Sequence, residues 1–215
     1  PWPSPRTYRF TTRGTDRAGN LLLATTYHQI TFDATPPLSG IADPNAAFEN
    51  ALPTLSGTAS DSPSGIKEVR VQITYLVDPN TYFWRGPGGG TAFDSAAPTS
   101  LSDPLNWRGS TFTAGSWVYA ISTGWVTGTA YTVKARGEDL AGNLQTSLTT
   151  YAFTFDASRP GSSITTPENG KQYKSLPAIA GAASEGVSSV AENQVLVQRQ
   201  LDSFYWNGST WQFSG

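Results

Sequence analysis

"DRAGNLLLATTYHQITFD", residues 16–33, and "DLAGNLQTSLTTYAFTFD", residues 139–156, are two versions of one phrase. Each runs Asp-x-Ala-Gly-Asn, then a β-rich stretch, then Phe-Asp. The two begin 123 residues apart, and the match extends outward. Tyr8 falls on Tyr131, Arg13-Gly14 on Arg136-Gly137, Asn20 on Asn143 and Asp33 on Asp156. Further on, "LPTLSGTASD" from Leu52 matches "LPAIAGAASE" from Leu176. "YFWRG" from Tyr82 matches "FYWNG" from Phe204, which sets Trp84 over Trp206. Offsets that stay between 122 and 124 along the whole chain are the mark of a repeat. The chain divides accordingly. Residues 1–34 are the C-terminal strands of one repeat, 35–157 are a complete repeat, and 158–215 are the N-terminal part of a further one. The opening Pro-Trp-Pro carries no initiator Met and no signal peptide, and reads as a piece cut from something longer.

Within the complete repeat the apolar period is two, the period of strands. "IKEVRVQITYL" (66–76) alternates through Ile66, Val69, Val71, Ile73 and Tyr75. "YTVKARGE" (131–138) sets Tyr131, Val133 and Ala135 on one face, with Thr132, Lys134 and Arg136 on the other. "TTYAFTFD" (149–156) repeats the pattern with Tyr151, Phe153 and Phe155, and "TLSGTAS" (54–60) and "SWVYAIS" (116–122) add two more. No segment has a helical period with a cap. Asp139-Leu-Ala-Gly-Asn143 falls between two strong strands and reads as a hairpin loop. Gly142 and Asn143 tolerate positive φ, Gly19 is the equivalent of Gly142 in the first copy, and Asp139 can bond its own backbone. Tyr131, a few residues after Gly128, occupies the place of a tyrosine corner, and Tyr8 is its counterpart. Trp84, Trp107, Trp117 and Trp125 supply large core anchors. Many short strands with turn signals between them predict an all-β sandwich.

Composition narrows the function. The net charge is −2 and 14% of residues are charged, so there is no basic stripe for nucleic acid or an anionic membrane. No apolar run is long enough for a membrane span. Cys is absent, which excludes disulfides, thiol catalysis and Cys-ligated zinc. His28 is the only histidine, aligns with Tyr151 and has no evident Ser partner. Glu138 and Asp139 are adjacent on a strand and point to opposite faces, so they are not an acid–base couple. "GPGGG" (86–90) lacks the Lys and Ser/Thr of a phosphate loop. Nothing here carries chemistry, and the chain is read as a non-enzyme.

The phrases "SGTASDSPSGIKEVRVQI", "YTVKARGEDLAGN" and "FTFDASRP" resemble the bacterial immunoglobulin-like repeats found in tandem in very large secreted and surface proteins. The resemblance covers almost the whole chain. It implies tandem Ig-like β-sandwiches, an extracellular or cell-surface location, and a structural role as a stalk, fibre or filament. The implied partners are neighbouring repeats or subunits of the same protein, head to tail. The short linkers Ala34-Thr-Pro-Pro37 and Ala157-Ser-Arg-Pro160 limit bending between repeats. An adhesin or carbohydrate-binding module is the alternative, with Trp107 and the Gly/Ser/Pro-rich loop 86–106 as the platform for a surface glycan.

Two further expectations concern sites. Asp16, Asn20 and Asp33, with Asp139, Asn143 and Asp156, are hard oxygen donors at equivalent positions of the repeat, the kind Ca²⁺ takes. Asp33 and Asp156 stand just before the linkers, where a metal would stiffen a joint. The same residues also suit turn chemistry and polar strand ends, so Ca²⁺ is a candidate and no cofactor is required. The two partial repeats leave open strand edges, which template pairing with another chain. They are completed either by a continuing parent chain or by the next subunit in a filament.

Overall fold

A computed structural model describes residues 2–22, 26–86, 93–94, 104–121 and 124–213. The chain is all-β, and its described residues form two compact units, Pro1–Ala157 and Ser158–Gly215. The boundary coincides with the one read from the repeat. Residues 1–34 cluster with the complete repeat.

The first unit opens with a hairpin of β1 (Arg6–Thr11) and β2 (Tyr27–Phe32). The complete repeat follows with β3 (Leu38–Asp43), β4 (Phe48–Glu49), β5 (Thr54–Ser60), β6 (Ile66–Val77), β7 (Asn80–Trp84) and β8 (Phe93–Asp94). A short 3-10 turn at Pro104–Asn106 leads to β9 (Arg108–Gly109), β10 (Thr111–Thr113), β11 (Ser116–Ala120), β12 (Thr129–Asp139) and β13 (Thr149–Phe155). Two sheets result. One has the order β10-β11-β5-β3, the other β4-β13-β12-β6-β7-β8, with β9 on β6. All pairings are antiparallel except β13 with β4.

The core draws on both sheets, as in a β-sandwich. Leu55, Ala59 and Trp117 come from the first sheet, and Val69, Val71, Ile73, Tyr131, Val133, Ala135 and Phe153 from the second. Alternation in β12 is clean: Tyr131, Val133 and Ala135 are buried while Thr132, Lys134 and Arg136 are only partly covered. Trp84, Trp117 and Trp125 each find an acceptor for the indole N–H, as a buried indole requires. Trp84 Nε1 donates to Tyr119 Oη (2.8 Å), Trp117 Nε1 to Gly40 O (3.0 Å) and Trp125 Nε1 to Leu52 O (2.7 Å). The tyrosine corner is present. Tyr131 Oη accepts from the Val126 N–H (2.9 Å) and donates to Gly124 O (3.3 Å). Tyr8 Oη donates to Pro3 O (3.1 Å) at the equivalent place.

The second unit holds β14 (Gly161–Thr166), β15 (Ala180–Ser184), β16 (Gln198–Arg199), β17 (Phe204–Trp206) and β18 (Trp211–Phe213). β14 pairs with β15, and β16-β17-β18 form a separate small sheet.

Candidate functional site

The two Asp-x-Ala-Gly-Asn loops fold alike because the same side chains make the same bonds. Asp139 Oδ1 accepts from the Asn143 N–H (2.7 Å) and Oδ2 from Asn143 Nδ2 (2.8 Å). Asp16 Oδ1 accepts from the Asn20 N–H (2.8 Å) and Oδ2 from Asn20 Nδ2 (2.7 Å). Gly142 and Gly19 sit at φ 90° and 89°, a left-handed turn that glycine enters without strain. These bonds hold the Asp16 carboxyl below its usual range, Asn20 contributing most. The turn chemistry expected at both loops is therefore in place.

The loops differ in their surroundings. Asp16 and Asn20 are exposed, and Asp139 is fully buried. Three chain segments meet at Asp139. Asp33, just past β2, is buried, and its backbone carbonyl accepts from Asn143 Nδ2 (3.1 Å). Its carboxylate accepts from the backbone N–H of Thr35 (2.9 Å) and of Ser64 (3.1 Å). Bonds from Ser64 and Thr35 hold the Asp33 carboxyl below its ordinary range. Asp61, just past β5, accepts from Ser64 Oγ (3.0 Å) and the Gly65 N–H (2.9 Å). The Leu140 N–H donates to Gly65 O (2.9 Å), tying the 61–65 turn to the 139–143 loop. One carboxylate oxygen from each of Asp33, Asp61 and Asp139 then lies within 4.8 Å of the others. None of the ion pairs among the described residues reaches the three.

Three like charges held this close, two of them on buried residues, repel one another unless a proton or a cation sits between them. The spacing suits a hard cation, because two oxygens each about 2.4 Å from one ion stand at most about 4.8 Å apart. Three carboxylates fall short of the six to eight oxygens Ca²⁺ takes, so water would fill the remainder. The trio fits a divalent cation in spacing, charge and ligand type.

Of the six residues proposed as calcium ligands, the structure joins Asp33, Asp139 and Asn143. Asn143 braces the other two through its Nδ2. Asp16 and Asn20 bond each other in the first hairpin loop, and Asp16 joins no cluster of three acidic groups among the described residues. Asp156 is buried where β13 ends, its N–H donating to Glu49 O (2.8 Å). Asp61 was missed. Its signal was an acid at the same point of both copies, Asp61 and Glu185, each before a Ser- and Gly-containing turn.

The expectation that Trp107 is an exposed platform is corrected. Trp107 is 4% exposed, and the Arg136 guanidinium covers its ring at 4.4 Å, so it offers no face for a sugar to stack on. Of the 86–106 loop, residues 87–92 and 95–103 lie outside the described residues. His28 is on β2, exposed and opposite Phe10. Trp84 is buried as expected, whereas Trp206 is 41% exposed.

No family model matches the chain, and comparison with curated proteins finds no match. Among the described residues no helix is long and apolar enough to cross a membrane.

Proposed function

We propose that this chain is a structural segment of an extracellular tandem array of immunoglobulin-like β-sandwiches, acting as a stalk, fibre or filament at a cell surface. The observation that carries this reading is the meeting of Asp33 with Asp61 and Asp139. Asp33 closes one copy of the repeated phrase, and the other two stand on loops of the next. A spacer needs its joints fixed, and here the end of one repeat is bonded into the body of its successor through Ser64 and Asn143. The partners in this reading are neighbouring repeats of the same protein, and the chain performs no reaction.

The same trio is the proposed seat of a divalent cation, Ca²⁺ first. Asp33, Asp61 and Asp139 would ligate it while Asn143 holds Asp139 in place. A bound cation would neutralise the mutual repulsion of the carboxylates and lock the joint. A ligand that binds only the folded chain raises its melting temperature. The melting temperature of the full chain is expected to rise with Ca²⁺ and fall back with EGTA. Asp61→Asn and Asp139→Asn should abolish the response, and Asp16→Asn should preserve it. An unchanged melting temperature across Ca²⁺ and EGTA removes the cation. Stretching single molecules tests the mechanical role separately. Unfolding one complete repeat of about 123 residues should release about 400–440 Å of chain at once. Gradual lengthening with no such step would contradict the proposed mechanical role.

A further inference from the structure

We propose that the outer face of the β12–β6 pair carries an anion-binding site, in which Arg136 and Lys134 hold the carboxylate or sulfate groups of an acidic polysaccharide. This activity lies beyond the structural role and does not depend on it. Directly opposed residues of an antiparallel pair share a face. β12 and β6 are opposed as Lys134↔Gln72, Arg136↔Arg70 and Glu138↔Glu68, on the side away from the core pairs Val133↔Ile73 and Ala135↔Val71. Two arginines therefore stand across from each other, an arrangement that costs stability.

The two acids of this face are already used. Glu68 Oε1 lies 2.5 Å from Arg70 Nη2, and Glu138 Oε1 lies 2.5 Å from Lys67 Nζ. Lys134 and Arg136 are left over. Among the described residues neither side chain has an ion pair or a hydrogen bond. Arg136 is nonetheless held in place. Its guanidinium lies 4.4 Å from the centre of the Trp107 ring, which is buried beneath it. Burial first, and then the neighbouring Arg70 charge, hold the Arg136 pKa below its ordinary 12.5. The fold thus keeps a partly desolvated cation in a fixed plane with its donors unused.

A planar guanidinium presents paired N–H groups that match two oxygens of a carboxylate or sulfate. An anion bound there would also offset the repulsion between the two arginines. Lys134 supplies a second point charge two residues along the strand, about 6.8 Å away at the backbone. Two cations in series suit a polymer with acidic groups in series. A sugar polymer fits this face better than a peptide does. β12 is paired with β13 and β6, and β6 with β12 on one side and β7 and β9 on the other, so no strand edge is free here for a peptide to join. The neighbouring outer-face positions are Thr132, Thr150 and Gln72, which suit hydroxyl partners, and none of them is an exposed large apolar side chain. In the flanking copies Arg13 answers to Arg136, but Thr11 stands for Lys134 and Gln194 for Arg70. The cation cluster is particular to the complete repeat.

The test titrates the full chain with polygalacturonate, dextran sulfate and neutral dextran by isothermal calorimetry, in EGTA so that Ca²⁺ cannot bridge polymer to protein. The expected result is saturable binding of an acidic polymer, weakened severalfold when salt is raised to about 0.3 M, and no binding of neutral dextran. The tighter of the two acidic polymers identifies carboxylate or sulfate as the group held. Arg136→Gln should weaken binding about tenfold or more, and Lys134→Thr a few-fold. Thr150→Glu sets a carboxylate opposite Lys134 on the same face and should abolish binding while leaving Arg136 on its ring. Arg17→Gln removes an equal charge from the exposed first hairpin loop and should change nothing. Absence of saturable binding to either acidic polymer overturns the site, as does full binding by Arg136→Gln and Thr150→Glu. So does an equal loss in Arg17→Gln, which would make the attraction one of net charge. Tighter binding of polyglutamate than of either polysaccharide also overturns it, because the occupant would then be a polypeptide.

Discussion

Leu52 and Leu176 stand at the same point of the same repeated phrase, yet one is 3% exposed and the other 44%. Trp84 is 2% exposed while Trp206, its counterpart, is 41% exposed. The hairpins around these residues agree in register and even in their bulges. What differs is the set of strands packed against them. In the complete repeat β11 and β12 close the core over β5 and β6. In residues 158–215 the described strands form a two-stranded and a three-stranded sheet whose apolar residues, such as Ile164, Ile179, Val195 and Leu196, stay exposed. Burial is a property of the assembled sheets. A sequence pattern decides which face is apolar, and the neighbouring strands decide whether that face stabilises anything.

The sharpest way to break this comparison is to remove one tryptophan ring from each region. Trp117→Ala takes out a fully buried indole and its bond to Gly40 O, and should cost about 3–5 kcal/mol. Trp206→Ala removes a ring that is largely solvated, and should cost less than about 1 kcal/mol. Urea unfolding followed by tryptophan fluorescence measures both. A Trp206→Ala cost close to that of Trp117→Ala would mean that the open face is covered in solution.

The tyrosine corners sharpen the contrast on a smaller scale. Tyr131→Phe leaves the Val126 N–H without its acceptor beside a buried ring, and should cost about 1 kcal/mol. Tyr8→Phe loses a single bond to Pro3 O on an exposed hairpin, and should cost at most about 0.5 kcal/mol. Thermal unfolding of the two variants ranks them. Equal costs would show that the first hairpin is as tightly packed as the complete repeat.

Much of this was legible in the sequence, and what was not has physical reasons. The alternation of Tyr131, Val133 and Ala135 announces β12 because one face of that strand is wholly buried and the other partly solvated. The Asp-x-Ala-Gly-Asn loop announces its own turn, because the bonds between Asp139 and Asn143 that shape it are local. β4, two residues long and paired in parallel with β13, has no local signal, since only a distant strand defines it. Trp107 misled for a related reason. A tryptophan beside a Gly- and Pro-rich loop looks solvent-facing, and only the fold brings Arg136 from β12 over its ring. The carboxylate trio required three turns, far apart in sequence, to meet. Asp139 and Asp33 could be named from the repeated phrase, and Asp61 could not be joined to them without the fold.

The joint gives the next prediction through pH. Asp33 has a folded pKa below its ordinary 3.8, so it stabilises the native state above that value. The contribution fades as pH falls from about 3.8 through the lower folded value, where the folded chain must also take up the proton. Asp33→Asn should therefore lower the melting temperature at pH 6, with the difference from the parent chain closing as pH falls below the ordinary value of 3.8 and through the lower folded one. A constant difference across that range would assign the effect to packing and not to ionisation. Ca²⁺ should widen the gap at pH 6 if the trio holds the ion.

The smallest effect isolates a single carboxyl in the second unit. Glu185 is the counterpart of Asp61 and is held at about 2. Ser158 Oγ donates to its Oε1 (2.7 Å), and the N–H groups of Val187, Ser188 and Ser189 donate to its Oε2. Carboxyl carbon shifts followed by NMR should show Glu185 titrating well below the other glutamates. Ser158→Ala should move its pKa upward without restoring the full ordinary value, because the backbone donors remain. An unchanged titration in Ser158→Ala would mean that the turn alone holds the charge. The local geometry at this position would then form without help from the residue that opens the unit, through the backbone donors of Val187, Ser188 and Ser189 alone.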